Sequence, residues 1–308
     1  MRYVFDPEVL ERTAGPAPAG LLGHPDDRRD EQVYLFDEPT TLAVNIALVT
    51  RRPLLVLGPP GSGKSTLAPN VARLLRRRYY AEVVTARTEA SDLLWREEAF
   101  RQLNDAHRGE LGAPGKDVYH RAGPLWKALD PAKDEAVPHE LRDRPAVVLI
   151  DEVDKADPDL PNALLDPLDN LRFEGPDRSR VTVRPEIGPP LVVVTSNEER
   201  ELSAAFRRRC IPLRLRPPGR EHLLAVARLH LGEDFDPELS RQAADLFLAQ
   251  RTPGGSASSD RLPAASTAEY LDTLRACREM EVTADSEVWR EVARFAMVKD
   301  ASEPTAFA

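Results

Sequence analysis

The chain has 308 residues, of which 42% are apolar and 30% are charged, and its formal net charge is −9. This length suits one large core of about 200 residues plus a smaller domain, and the composition is that of a folded globular protein. The negative net charge argues against a protein whose whole surface binds nucleic acid, because such binding needs clustered Lys and Arg. Cys210 and Cys277 lie far apart without His at ligand spacing, so the sequence suggests neither a disulfide framework nor a zinc site.

No segment of the chain predicts a membrane span or a targeting signal. No apolar run approaches the roughly 20 residues needed to cross a bilayer, and the first residues lack a basic stretch followed by an apolar one. Residues 1–32 are rich in Pro, Gly and charge, which predicts a flexible lead-in. We therefore expect a cytoplasmic protein without membrane insertion, whose function lies after residue 32.

Short apolar runs alternate with helical patterns in the first two thirds of the chain. Such runs predict strands buried on both faces, and their alternation with helices predicts an α/β structure with a parallel sheet between two helical layers. The C-terminal third carries four amphipathic helical patterns and predicts a small all-helical domain. The predicted strands are 53–57, 82–85, 146–150, 191–195 and 211–215, and the predicted helices of the C-terminal domain are 220–231, 237–250, 267–280 and 285–298.

The first predicted strand runs directly into a glycine-rich loop followed by a helical pattern. The loop satisfies the Walker A pattern of spaced glycines, a lysine and a hydroxyl. Glycines let backbone N–H groups wrap around phosphate oxygens, Lys64 can reach the β and γ phosphates, and the Ser65 hydroxyl suits a magnesium ion. The sequence thus predicts a site for ATP with Mg²⁺ formed by Gly58, Pro59, Pro60, Gly61, Ser62, Gly63, Lys64, Ser65 and Thr66.

Polar side chains follow two further apolar strands, at the end where ligands gather in parallel sheets. Asp151 is predicted to hold magnesium, directly or through water, and Glu152 to polarise the attacking water as general base. Asn197 comes at the end of the later strand and is predicted to orient the same water. A protein that only binds nucleotide needs no such Glu, so the pattern favours hydrolysis.

Three arginines end a short helical pattern just before the last predicted strand, in AFRRRC. A guanidinium from an adjacent subunit can stabilise the charge on a transferred phosphoryl group, so Arg208 and Arg209 are candidate arginine fingers. Hydrolysis would then require assembly; the alternative is a solvated basic helix end. A second cluster is interpreted as the cationic end of the helix after the glycine-rich loop, and it consists of Arg73, Arg76, Arg77 and Arg78.

The order of the motifs GPPGSGKS, VVLIDEVD, VVVTSN and AFRRRC, followed by helices, resembles that of AAA+ ATPases, and of their MoxR branch in particular. The resemblance covers residues 33–298. It implies a P-loop NTPase core with a five-stranded parallel sheet over residues 33–217 and a helical lid over residues 218–308. It further implies self-assembly into a ring, a hexamer in this family, with ATP between neighbouring subunits.

The resemblance also assigns residues outside the main motifs. Tyr34 and Leu35 match positions that line the adenine pocket in such proteins, with ordinary packing as the alternative. The family usually supplies a lid arginine or lysine near the start of the third lid helix, where this chain has PAAST. Arg261 is the nearest candidate, offset by a few residues, and it can equally be an ordinary loop arginine.

MoxR-like ATPases are similar to chaperones that remodel or activate a protein partner, often one that carries a von Willebrand factor A domain. The resemblance implies the same task here, with a protein rather than a nucleic acid as the partner. Two alternatives share every nucleotide-site residue. One is a DNA-acting AAA+ motor, which the net charge disfavours; the other is a nucleotide-gated scaffold in a bacterial defence or signalling assembly, which Glu152 weakly disfavours.

Overall fold

The computed structural model describes residues 4–13, 33–108, 119–250 and 265–297. The chain divides into two compact units. The first unit is Met1–Gly58 with Lys64–Leu215, and the second is Pro59–Gly63 with Arg216–Ala308. The second unit therefore contains the middle of the glycine-rich loop in addition to the C-terminal helices.

Strands and helices of the first unit alternate along the chain. The strands are β1 (Leu54–Leu57), β2 (Arg78–Val83), β3 (Trp95–Glu97), β4 (His120–Ala122), β5 (Ala146–Asp151), β6 (Arg172–Glu174), β7 (Arg180–Thr182), β8 (Leu191–Ser196) and β9 (Ile211–Arg214). The α-helices are α1 (Pro7–Thr13), α2 (Glu38–Thr50), α3 (Lys64–Leu75), α4 (Ala90–Leu94), α5 (Ala99–Arg108), α6 (Pro124–Leu129), α7 (Asp159–Ala163), α8 (Leu165–Asn170) and α9 (Ala204–Arg209).

Five of the strands form one sheet in the order β2-β5-β8-β1-β9, and all four pairings are parallel. The pairs β3–β4 and β6–β7 form separate antiparallel hairpins. β5 and β8 are buried along their whole length, as expected for strands covered on both faces. Parallel strands end at the same edge, so the residues that follow β1, β5, β8 and β9 meet there. The predicted five-stranded parallel sheet is confirmed.

Alternate residues of the sheet pack into different apolar clusters, which gives the three layers. Leu55 and Val148 belong to one cluster, with residues of α6, α7 and α9. Leu54 and Val147 belong to the other, with residues of α2 and α3. Because successive side chains of a strand point to opposite faces, each face of the sheet is covered by its own set of helices.

The second strand begins earlier than the sequence predicts. The prediction placed it at 82–85 and put Arg78 at a helix end, whereas β2 pairs with β5 from Arg78 onwards. Arg78 is only 1% exposed, and its guanidinium donates to the carbonyl oxygens of Lys127 (2.6 Å), Ala128 (3.0 Å) and Arg144 (2.9 Å). These bonds satisfy a buried charge and join the start of β2 to the end of α6. The prediction for Arg78 was therefore wrong.

The start of the chain also differs from the predicted lead-in. Residues 7–13 form α1, and Phe5 is fully buried against the α2 and α3 side of the sheet. The Asn45 side chain accepts from the N–H groups of Val4 and Phe5 at 2.7 and 2.8 Å, and donates to the Phe5 carbonyl at 2.6 Å. Burial of a Phe side chain stabilises a fold by about 2 kcal/mol, so residues 4–13 are part of the folded structure. Residues 14–32 lie outside the described ranges.

The helices of the second unit follow the predicted pattern closely. They are α10 (Arg220–Leu231), α11 (Pro237–Ala249), α12 (Thr267–Glu279) and α13 (Glu287–Met297). Their apolar faces form one cluster that includes Leu223, Phe247, Tyr270 and Trp289. Within the described ranges of the whole chain, no helix is both long and apolar enough to cross a membrane.

Candidate functional site

The glycine-rich loop lies between β1 and α3, at the carboxyl end of the sheet. Gly61 and Gly63 have φ angles of 74° and 87°, a left-handed conformation that residues with a Cβ rarely adopt. Gly61 is also closely packed, because a Cβ atom there would lie 2.4 Å from the Cβ of Ser266. Lys64 begins α3, so N–H groups of the first helical turn face the loop. The loop has the backbone geometry of a phosphate cradle.

Lys64 carries a nearly buried positive charge in this loop. The side chain is 5% exposed, and its Nζ donates to the Gly58 carbonyl at 2.9 Å. Burial lowers the pKa of the Lys64 ammonium, and four carboxylates oppose that shift: Asp151, Asp154, Glu152 and Glu198. A backbone carbonyl is an acceptor that a phosphate oxygen can replace. The ammonium is therefore placed to bind a phosphate group.

Asp151 brings three strand-end and helix-start residues together. The Ser65 hydroxyl donates to Asp151 Oδ1 at 2.9 Å, and the Thr195 hydroxyl donates to the same oxygen. The Thr195 oxygen in turn accepts from the Glu152 N–H at 2.8 Å. Adjacent oxygens around an octahedral Mg²⁺ lie about 3 Å apart, and the ion prefers such ligands. The Ser65 and Asp151 oxygens therefore fit the magnesium site that the sequence predicts.

Glu152 directly follows β5 and is held from two sides. Its backbone is left-handed, with φ 59° and ψ 45°. The Lys155 ammonium contacts Oε2 at 2.6 Å, and the Asn197 amide donates to Oε1 at 3.3 Å. The hydrogen bond between Lys155 and Glu152 raises the pKa of Lys155, so the amine stays protonated. The structure thus brings together the predicted base and the predicted water-orienting amide.

Asp154 is a buried carboxylate that the sequence analysis did not assign to the site. It is 3% exposed and accepts from the backbone N–H groups of Asn197 (3.3 Å) and Glu199 (2.9 Å). These bonds fix the loop after β8 and thereby the Asn197 side chain. Thr195 was missed in the same way. Its place two residues before Asn197, at a strand end, is a signal that could have suggested its role.

The three arginines of α9 have different surroundings. Arg207 pairs with Glu201 at 2.9 Å, and Arg209 forms an ion pair with Asp169. Arg208 is exposed, and its side chain makes no hydrogen bond or ion pair with any residue in the described ranges. Of the two predicted arginine fingers, Arg209 is engaged inside the subunit and Arg208 is available to another chain.

The remaining predicted residues are Tyr34, Leu35 and Arg261. Tyr34 packs against Phe36, with ring centroids 4.7 Å apart, and burial raises its pKa above the usual range. Leu35 is 37% exposed. Their place beside an adenine ring stays a prediction. Arg261 lies outside the described residues.

The start of α12 contacts the glycine-rich loop within the second unit. The Thr267 hydroxyl donates to the Gly61 carbonyl at 2.7 Å. Ser266 and Glu269 form a capping box, in which each side chain accepts from the other residue's backbone N–H, so the helix start is well ordered. Residues 265–269 include no Lys or Arg. At this helix start the contact with the loop is made by the Thr267 hydroxyl, and the lid cation that the family resemblance implies stays a prediction.

This fold, with a phosphate-cradling loop after β1 and carboxylates after β5, defines a P-loop NTPase. The sequence profile of the AAA domain (dynein-related subfamily) matches residues 53–210, about half of the chain, and the chain belongs to this family of AAA+ ATPases. The matched segment includes the glycine-rich loop, Asp151, Glu152, Asn197 and Arg208. The assignment to the MoxR branch stays a prediction.

Several known proteins are similar to parts of the chain. Chaperone protein ClpB 2 of Parasynechococcus marenigrum (strain WH8102) is 34% identical over 151 residues, 48% of this chain and 14% of that protein. Midasin of Giardia intestinalis is 31% identical over 96 residues, 29% of this chain and 2% of that protein. The chain thus spans a small part of the length of these curated relatives. A solved structure of a RuvB mutant of Thermotoga maritima has a TM-score of 0.51 at 15% identity, covering 83% of this chain and 68% of that chain, which shows the shared fold alone.

Proposed function

We propose that this chain binds ATP with Mg²⁺ at the glycine-rich loop, hydrolyses it at the interface between two copies of itself, and uses the energy to remodel a protein partner. The observation that carries the proposal is the cluster at the carboxyl end of the sheet. There Lys64, the Ser65–Asp151 pair and the Glu152–Asn197 pair come from the loop and from the ends of β5 and β8.

The phosphate groups of ATP would be held by the loop itself. Lys64 exchanges its Gly58 carbonyl for phosphate oxygens, and N–H groups of the loop and of the first turn of α3 donate to them. Ser65 and Asp151 would hold the magnesium ion. When bound, the ion neutralises charge on the phosphate oxygens.

The attacking water would be activated by Glu152. Its carboxylate orients the water and accepts a proton from it, while the Asn197 amide, already within 3.3 Å of Glu152 Oε1, fixes both groups. Asp154 keeps Asn197 in place through the backbone. Lys155 contacts the same carboxylate, and each carboxylate oxygen keeps a further lone pair that can accept from water.

A second copy of the chain would complete the site with Arg208. Guanidinium groups of this kind raise hydrolysis rates by about 10³- to 10⁵-fold in other NTPases. Arg208 suits the role because Arg207 and Arg209 are already paired inside the subunit. A closed ring, a hexamer by the MoxR resemblance, places every Arg208 opposite a neighbour's nucleotide.

Remodelling of a protein partner is supported by the similarity to a protein named as a chaperone, ClpB 2, although the match covers 14% of that protein. The MoxR resemblance adds a partner with a von Willebrand factor A domain. The net charge of −9 favours a protein partner over nucleic acid.

The proposal is tested by ATP hydrolysis measured against protein concentration, with assembly size followed in parallel. We expect the specific rate to rise with concentration, and to fall about 10³-fold or more in Arg208→Ala and in Glu152→Gln. Mixing these two variants should restore activity, because a site can then combine an intact Glu152 with an intact Arg208. Arg207→Ala is the matched control and should keep most of the rate. Turnover by a monomer that does not depend on concentration would refute the shared site.

A further inference from the structure

The short helix α9, which carries the candidate finger, is bonded at its end by Arg52. Arg52 lies between α2 and β1, more than 150 residues earlier in the chain. Its Nε donates to the Arg209 carbonyl at 2.9 Å, and its Nη2 donates to the carbonyls of Arg208 at 2.6 Å and Cys210 at 2.9 Å. One guanidinium therefore binds three consecutive carbonyl oxygens.

These carbonyls are the groups that a helix end leaves without partners. The last turn of an α-helix has no intrahelical donors for its carbonyl oxygens, and a cation there is further stabilised by the helix dipole. Only arginine presents several N–H donors in a planar, fixed fork. Arg52 thus fixes both the position and the orientation of the end of α9.

The backbone next to Arg52 is itself fixed to the sheet. The N–H of Ile211 donates to the Pro53 carbonyl at 2.8 Å, and Leu54 pairs with Ile211 in the register of β1 and β9. The guanidinium is therefore anchored to the two strands that flank the helix end. Movement of α9 relative to β1 would break these bonds.

Further contacts hold the start of α9 and Arg209, while the side chain of Arg208 is exposed. The Ser203 hydroxyl caps the helix start by accepting from the Phe206 N–H at 3.2 Å, and it donates to the Asn162 side chain at 2.6 Å. Arg209 is paired with Asp169. With both ends of the helix held, the direction of Arg208 depends on these anchors.

We propose that Arg52 is a positioning residue for hydrolysis in the adjacent subunit: it holds the end of α9 so that Arg208 reaches the neighbour's nucleotide. This inference rests on the proposed shared site. Arg52 itself touches neither nucleotide nor water. Its effect passes through the backbone of Arg208 to a site that another chain provides.

The test uses Arg52→Met in the full-length protein, alone and mixed with Glu152→Gln. Misplacement of a catalytic group by about 1 Å costs up to about 10²-fold, so we expect kcat to fall about 10- to 100-fold while KM for ATP changes less than about twofold. Mixing with Glu152→Gln should restore activity, because that partner contributes a correctly placed Arg208. Arg52→Lys should be intermediate, since an ammonium cannot match the three-carbonyl geometry.

The control is Arg51→Asn, which removes the neighbouring cation. Arg51 has φ 59°, a conformation that Asn tolerates, so this variant should hydrolyse ATP at the wild-type rate. Loss of activity in Arg52→Met that mixing does not restore would show a defect in the variant's own site and overturn the inference, as would an unchanged kcat. A wild-type protein without cooperative hydrolysis would instead refute the shared site itself.

Discussion

The two ends of the parallel sheet both carry buried charges, but they satisfy them differently. At the amino end, the Arg78 guanidinium donates to three backbone carbonyls and to the Tyr80 hydroxyl. At the carboxyl end, Lys64 donates to a loop carbonyl and lies in the field of several carboxylates, while Asp151 accepts from two hydroxyls.

This difference indicates that the charge of Arg78 stabilises the fold, whereas the charge of Lys64 is placed for function. Carbonyls of packed helices and strands cannot leave Arg78 without unfolding part of the unit, so its bonds stabilise the fold. The partners of Lys64 are a glycine-containing loop and ionisable side chains, which a phosphate and a metal ion can replace or bind. Buried groups in such surroundings are typical of functional sites. Substitutions at the carboxyl end should therefore cost binding or turnover, and those at the amino end should cost stability.

The largest effect on ATP affinity is expected for Lys64→Met. Loss of the charge-assisted bonds to phosphate should weaken ATP binding about 100-fold or more, because such bonds contribute about 1.5–3 kcal/mol each. The free energy of unfolding should change by less than about 1 kcal/mol, because the loss of the donor to the Gly58 carbonyl is offset by the removal of a buried ammonium. Titration calorimetry with ATP and urea denaturation measure the two quantities.

Arg87→Met is the control for Lys64→Met, because it removes an exposed cation and should change neither affinity nor stability. If Lys64→Met bound ATP normally, or lost several kcal/mol of stability instead, the distinction between the two ends of the sheet would fail.

The next effect is expected for Arg78→Met. Three carbonyls would lose their donor, that of Ala128 in a buried bond and those of Lys127 and Arg144 in partly buried bonds. Leaving a buried acceptor unsatisfied costs about 1–3 kcal/mol, so we expect the free energy of unfolding to fall by about 3 kcal/mol. ATP affinity of the folded protein should stay within about twofold. Urea denaturation with and without ATP checks both statements, and Arg142→Met provides an exposed control. A stable Arg78→Met protein with weakened ATP binding would reverse the comparison.

The carboxyl end was largely predictable from the sequence because its chemistry depends on local patterns. Spaced glycines with Lys64 and Ser65, and an apolar strand ending in Asp151, can each be recognised within about ten residues. The amino end was not predictable, since Arg78 bonds to main-chain carbonyls of residues 49 to 66 positions away, and a carbonyl has no signature in the sequence. Arg78 beside a helix end therefore suggested a solvated cation, and the start of β2 was placed too late.

The same reasoning explains why the sequence predicts two candidate arginine fingers, Arg208 and Arg209, whereas the proposed function uses Arg208. Arg208 and Arg209 are chemically equivalent in the sequence. In the structure their side chains differ, because Arg209 pairs with the distant Asp169 and donates to the Ala205 carbonyl. The role of Asn45 in holding Phe5 was missed for a similar reason: its partners are backbone groups 40 and 41 residues away.

The smallest effect on ATP affinity is expected from a single hydroxyl group of α12. Two threonines of this helix can be compared. Thr267 donates to the Gly61 carbonyl of the phosphate loop at 2.7 Å, whereas Thr273 donates to the Glu269 carbonyl of its own helix, also at 2.7 Å. The C=O of a trans peptide points opposite to the following N–H, so the bond from Thr267 fixes the direction of the Ser62 N–H. That N–H donates to the Pro59 carbonyl at 3.3 Å, a long bond that a phosphate oxygen can replace.

Thr267→Val should therefore weaken ATP binding about fivefold, which corresponds to the roughly 1 kcal/mol of a single hydrogen bond. The loop would lose part of its preorganisation, while the capping box of Ser266 and Glu269 should keep the helix start intact. Thr273→Val removes an equivalent hydroxyl from the same helix and should leave ATP affinity unchanged. Equal ATP affinities for the two variants in calorimetric titrations would mean that the Thr267 hydroxyl contributes no more to ATP binding than the Thr273 hydroxyl does. A loss confined to Thr267→Val would show that the hydrogen bond to the Gly61 carbonyl contributes to ATP binding.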